Sequence, residues 1–194
     1  MSPQSFKYFL LPVLLLASSA AFAHAGHAGE QGFWAGFLHP FTGADHLLAM
    51  LAVGIWSAMT ARHVWTAPLA FVSLLLVGAL LVSSTGLGFP LLEPMIAASL
   101  LVIGLMLAMR ARLPLAAGAG IIGLFALFHG AAHGAELALA HPVAALSGMA
   151  LGTALIHFAG ILLGFFLNRQ HVLWARTVGG VISLFGIGLL TGMA

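Results

Sequence analysis

Long apolar runs separated by short polar breaks dominate the chain from residue 33 onward. Six stretches stand out, at 33–58, 64–82, 91–109, 114–136, 143–167 and 177–193. Each is near the ~20 residues that an α-helix needs to cross a bilayer. Their breaks, at 60–63, 83–90, 110–113, 137–142 and 168–176, carry Pro, Gly or charge. The runs show no strict alternation and are too long for barrel strands, so the pattern predicts helices. Many Gly and Ala residues suit close helix packing in lipid. Trp34, Trp56, Trp65 and Trp174 fall near run ends, where indoles anchor at the interface.

The first residues follow a different pattern. Lys7 precedes a short apolar core at 8–16, and Ala21-Phe22-Ala23 fits a small-x-small cleavage site. Residues 1–23 therefore read as a secretory signal peptide, and 24–194 as one transmembrane domain. The expected fold class is an all-α integral membrane protein with six transmembrane helices after cleavage.

Composition narrows the functional classes. Of 194 residues, 62% are hydrophobic and 5% are charged, against ~25% charged in an average soluble domain. Mean hydropathy is +1.14. Such a chain can neither cover a soluble surface nor stay disordered. Six basic and four acidic groups give a net charge of +2, far too little for a nucleic-acid interface. With no cysteine, disulfides, thiolate metal sites, iron–sulfur clusters and a cysteine nucleophile are excluded.

The basic residues also orient the chain. Cleavage would leave the new N-terminus in the periplasm. Arg62, Arg110, Arg112, Arg169 and Arg176 then all fall in loops facing the cytoplasm, as the positive-inside rule requires of an inner-membrane protein.

Ten histidines and three acidic residues carry the candidate chemistry. Asp45 and His46 lie well inside the first run, where an ionised carboxylate costs roughly 2.5–3.5 kcal/mol. His39 and His46, seven apart, would share one face of a continuous helix, with Met50 a turn further. Pro40 and Gly43 can open that helix locally. In the fourth run, His129, His133 and Glu136 are spaced i, i+4, i+7 on one stripe. Glu93 opens the third run at the same expected depth. The two histidine motifs run in opposite directions, which suits an inverted 3+3 arrangement. Imidazoles and carboxylates together bind divalent first-row metals such as Ni²⁺, Co²⁺, Zn²⁺ and Cu²⁺. His24 and His27, at the new N-terminus, could capture such an ion outside; the alternative is a frayed tail.

Simpler readings stand beside these. His157 reads as a packing or helix-bridging residue, and His63, His141 and His171 as solvated loop residues. Met50 reads as core, Glu93 as a helix cap, and the two motifs together as an interhelical hydrogen-bond network. Two other functions fit the same residue types: an intramembrane zinc-dependent hydrolase and a bis-His haem electron carrier. No HExxH or GxSxG motif supports the hydrolase.

The stretch His39-Pro40-x-x-Gly43-x-Asp45-His46-x-x-x-Met50-x-x-x-Gly54, with Phe128-His129-Gly130-x-Ala132-His133-Gly134-x-Glu136, resembles the HupE/UreJ family of bacterial nickel permeases. The leader, the histidines after it, and Glu93-Pro94 fit as well, so the resemblance spans nearly the whole chain. It implies a permease rather than an enzyme, with no prosthetic group, moving Ni²⁺ (Co²⁺ as second candidate) for hydrogenase or urease maturation. Cytoplasmic nickel chaperones are the implied partners. The implied metal-handling residues are His39, Asp45, His46, Glu93, His129, His133 and Glu136.

Overall fold

The computed structural model describes residues 32–60, 63–136 and 142–193. The leader, His24, His27, Arg62 and His141 lie outside the described residues. Those described form helices, with no strand among them: α1 Phe33–Leu38, α2 Ala44–Thr60, α3 Thr66–Thr85, α4 Leu92–Ala108, α5 Leu115–Glu136, α6 Pro142–Asn168 and α7 Val172–Thr191. A 3₁₀ turn, His39–Phe41, joins α1 to α2.

The helices α3, α5, α6 and α7 are each long and apolar enough to cross a membrane. The pair α1–α2 passes the same test as one span bent by 79°. Helix α4 is apolar but has 17 residues. At ~1.5 Å per residue it reaches about 25 Å, slightly short of a ~30 Å hydrocarbon core. Large apolar side chains such as Leu69, Val77, Leu155, Phe165 and Leu184 are exposed on the outer faces, as lipid-facing surfaces require.

Three expectations need correction. The first run is not one helix. Pro40 has no N–H to donate, so the chain tightens into the 3₁₀ turn, and the Thr42 hydroxyl satisfies the His39 carbonyl at 2.7 Å. The last helix starts at Val172, five residues before the expected 177, where the His171 ring accepts from the Leu173 N–H at 3.3 Å. Arg176 continues the helix rather than ending it, since a long basic side chain can snorkel out of lipid. Trp56 is core rather than an interfacial anchor. It is 4% exposed, and its indole N–H donates to the Ala111 carbonyl at 2.9 Å.

Glycines set how the helices meet. On α5, a methyl at Gly130 would collide with the Leu75 carbonyl of α3, and one at Gly134 with the Ala79 carbonyl. On α6, Gly160 faces the Leu51 carbonyl of α2 and Gly164 faces that of Ile55. Residue numbers rise together across both contacts, so α3 runs parallel to α5 and α2 parallel to α6. Across α4 and α7 they run oppositely: Gly186 meets Ala97 and Leu101, while Gly179 meets Ala108. Exchanging α2 with α5, α3 with α6 and α4 with α7 maps this set of contacts onto itself.

One end of the bundle gathers the basic loops. Arg110 donates to the Asn168 side chain at 2.5 Å, tying the α4–α5 connection to the end of α6. Trp56 ties the end of α2 to the same connection, and Ser57 donates to the Val64 carbonyl at 2.6 Å.

Candidate metal centre

Helix α5 is an unbroken 22-residue rod. It presents His129, His133 and Glu136 on one stripe, as the spacing predicts. Facing it is the break between α1 and α2. Because of the 79° bend, His39 and His46 do not share a helix face. They approach the α5 stripe from two elements instead.

The rings form a chain. His39 meets His133 edge to face, with centroids 4.6 Å apart. His133 lies 4.5 Å from His46, and His46 lies 4.7 Å from His129. At one end, His39 Nε2 contacts Glu136 Oε2 at 3.0 Å. Nitrogen or carboxylate atoms of His39, His133 and Glu136 fall within 4.8 Å of one another, a spacing that a single ion can bridge. Exposure is greatest at one end, with side-chain values of 56% at Glu136 and 24% at His39, and His46 is 11% exposed in the middle. His133 and His129 are essentially fully buried. One end is open and the other is sealed.

Hydrogen bonding determines which nitrogens are free. Asp45 lies in the first turn of α2, and its Oδ1 accepts from the His46 backbone N–H at 2.8 Å. The same oxygen lies 2.9 Å from His46 Nδ1. A carboxylate oxygen accepts only, so Nδ1 carries a proton, and in the neutral ring the lone pair is then on Nε2. At the sealed end, Ser99 of α4 gives its one proton to the Ile96 carbonyl at 2.6 Å and lies 3.0 Å from His129 Nε2. Its oxygen must then accept from Nε2–H, which leaves the lone pair on Nδ1. His46 Nε2, His129 Nδ1 and both nitrogens of His133 are buried with no hydrogen-bond partner among the described residues. Unpaired buried imidazole nitrogens are costly in apolar surroundings. Neutral imidazoles whose other nitrogen is held by an acceptor are the usual arrangement of metal ligands.

Of the predicted residues, the structure thus brings together His39, Asp45, His46, His129, His133 and Glu136. Glu93 stands exposed in the first turn of α4 and is not part of the three-residue group. Its carboxylate sits where it can favour the helix N-terminus, as the cap reading expects, while the N-cap itself, Leu91, is left-handed and offers no side-chain bond. Met50 is fully buried core.

Sequence reasoning missed Ser99, whose role depends on a contact 30 residues away in the chain. It also set His157 aside. That residue is 1% exposed, with its ring 5.0 Å from Phe71, whose ring in turn lies tilted at 5.6 Å from His129. The signal available was only a lone histidine at the centre of an apolar run.

The histidine chain opens onto neither of the two best-defined cavities. A cavity of about 310 Å³ sits at the basic end, lined by Trp56, His63, Thr66, Ala67, Leu113 and Gly118 among others. Its Ala67 wall is one turn of α3 from Phe71, on the sealed side of the histidine chain. A second cavity, of about 440 Å³, lies between the α3–α4 connection and the far side of α5.

Comparison with known proteins supports the motif resemblance. The profile of the family described as HupE / UreJ protein matches residues 12–189. Protein HupE of Rhizobium leguminosarum bv. viciae is 37% identical over 193 residues, covering 96% of this chain and 100% of that protein. No solved structure matches.

Proposed function

The chain belongs to the HupE/UreJ family, and from that premise we propose that it is an inner-membrane permease for a divalent transition metal, Ni²⁺ first and Co²⁺ second. The observation that carries this reading is the buried run of three imidazoles, His133, His46 and His129, with ring nitrogens that have no hydrogen-bond partner among the described residues, reached from the exposed side through His39. A purely structural network would pair those nitrogens with donors or acceptors.

In this mechanism the ion arrives from the periplasm at the exposed end, where Glu136 and His39 offer a carboxylate and an imidazole. Negative charge there offsets the cost of stripping water from a dication. Binding separates the 3.0 Å His39–Glu136 contact and places the ion against His133. The ion then passes to His46 and His129, with Asp45 holding the His46 ring and keeping a counter-charge nearby. Glu93 at the periplasmic end of α4, and His24 and His27 after cleavage of residues 1–23, would concentrate ions at the entrance. The bend at Pro40 and Gly43 supplies movement.

Such a permease has six spans, with α4 as a short third span. The self-mapping helix contacts support an inverted 3+3 arrangement. The clustered basic loops support a cytoplasmic assignment for that end. The delivered metal would serve hydrogenase or urease maturation through cytoplasmic chaperones. The haem alternative is disfavoured because the imidazoles meet at 4.5–4.7 Å, with no slot for a porphyrin plane between them.

The test is ⁶³Ni²⁺ uptake into proteoliposomes, repeated with ⁵⁷Co²⁺. Uptake should fall to background in His46→Ala at unchanged protein level. Uptake equal to the unsubstituted protein would sink the mechanism.

A further inference from the structure

The histidine chain ends at His129, well short of the cavity at the basic end. What separates them is apolar: Phe71, Ile122 and Ala126 are fully buried members of one core cluster. Beyond Phe71 lies one more pair of polar groups. His157 and Thr153 are one turn apart on α6, 1% and 0% exposed. Both ring nitrogens of His157 and the hydroxyl of Thr153 lack hydrogen-bond partners among the described residues. The ring does interact with the Thr153 backbone on its own helix, but outside full hydrogen-bonding geometry.

This does not describe a helix-bridging histidine. A bridging residue forms hydrogen bonds between helices, and this one forms none. Nor is it an economical packing residue, since a buried unpaired imidazole is costly relative to a paired one, and an apolar ring of similar size avoids that cost. A threonine in a helix commonly bonds back to the preceding turn, as the half-buried Thr60 and the exposed Thr191 do, and burial makes that bond more valuable. Two such exceptions, adjacent on one helix face, point to an occupant.

Resting on the permease reading above, we propose that His157 and Thr153 form a second ligand station for the divalent cation, and that Phe71 is the gate between it and the four-histidine chain. The Phe71 ring lies 5.6 Å from His129 and 5.0 Å from His157, centroid to centroid, and so contacts both. One turn along α3, Ala67 lines the cavity at the basic end. The His157 backbone packs on Gly54, two residues from Trp56, another wall of that cavity. Rotation of the Phe71 ring would let an ion leave His129 for His157 and then the cavity. One imidazole and one hydroxyl are too few ligands for tight binding, as a transit station requires: the ion keeps part of its water and moves on.

The chain contains no cysteine, which makes a direct spectroscopic test possible. Purified full-length His157→Cys is titrated with Co²⁺ in detergent. Visible d–d absorption reports the outer ligands, and a near-ultraviolet thiolate-to-Co²⁺ charge-transfer band reports position 157 alone. The expected result is outer-site absorption that His133→Ala removes, followed at higher Co²⁺ by the thiolate band. Adding Phe71→Ala should speed the appearance of that band by about tenfold or more. If the outer absorption titrates normally and no thiolate band develops at any excess of Co²⁺, the second station is wrong and the permease reading stands. If no His133-dependent absorption develops in the unsubstituted protein, the permease reading itself fails. Should His157→Cys not fold, Thr153→Cys gives the same readout.

Discussion

The two histidine-bearing regions solve the same problem in opposite ways. Helix α5 is a rod: 22 residues without a break, its Gly130 and Gly134 lying flat on the α3 backbone. Regular i, i+4 spacing alone places His129 and His133 one above the other. The α1–α2 region is a joint. Pro40 and the 3₁₀ turn bend the chain by 79°, so that His39 and His46 reach His133 from two directions. A rod fixes where ligands stand, whereas a joint lets their partners change distance. Transport needs both: ligands fixed in register, and a facing set that can let go.

The largest effect should come from breaking the rod. A side chain at Gly130 would occupy the space of the Leu75 backbone carbonyl, and backbone cannot rotate away. Gly130→Val should therefore separate α5 from α3 and destabilise the protein by at least about 3 kcal/mol, enough to remove the monodisperse peak in detergent chromatography. Gly120→Ala on the same helix meets nothing within 4 Å and should leave the peak unchanged or raise its thermal midpoint. Equal behaviour of the two variants would mean that α5 does not depend on its contact with α3.

Removing the ligand shared by rod and joint comes next. His133 touches both His39 and His46, so His133→Ala should lower Co²⁺ affinity by on the order of a hundredfold, with folding intact. Isothermal titration reads this. A loss no larger than that from His39→Ala would show that His133 is not the centre of the chain.

The joint should yield a smaller effect. A methyl at Gly43 would lie 2.8 Å from Asp45 Oδ1 and 3.2 Å from His46 Nδ1, pressing on the pair that orients His46. Gly43→Ala is expected to reduce metal uptake about tenfold while equilibrium binding changes less, because the rod still presents His129 and His133. Uptake and binding falling in parallel would assign Gly43 to the ligand set rather than to motion.

The same contrast explains what could be read from the sequence. On the rod, period and composition sufficed: the bounds of α5 agree within one residue, and its stripe of ligands follows from helical spacing. On the joint they did not. Proline signalled an opening, but the bend angle depends on how α1 packs against α6, where Gly36 and Gly148 admit backbone contact. That is a long-range property which no local pattern encodes. Trp56 fails for a related reason. An indole near the end of a run reads as an interfacial anchor, yet its N–H is bonded to a carbonyl 55 residues away. The unpaired nitrogens of His133 and His157 were equally hidden, since spacing places a ring on a face and says nothing of who meets it.

Ser99 provides the smallest and most specific test of the rod. Its hydroxyl is short of protons by one: having donated to Ile96, it can only accept from His129. This fixes the tautomer that leaves Nδ1 unprotonated in the chain of rings. Ser99→Ala removes the acceptor without adding volume, so the fold should hold and the ring should redistribute between its two neutral tautomers. Roughly half of the molecules would then present a protonated Nδ1 to the ion. The expected loss of Co²⁺ affinity is about threefold, or ~0.7 kcal/mol, within the range for a single hydrogen bond. Ser99→Thr keeps the hydroxyl and should bind as the unsubstituted protein does. Should Ser99→Ala and Ser99→Thr bind Co²⁺ equally well, the serine would be a packing residue and His129 would need some other partner to set its proton.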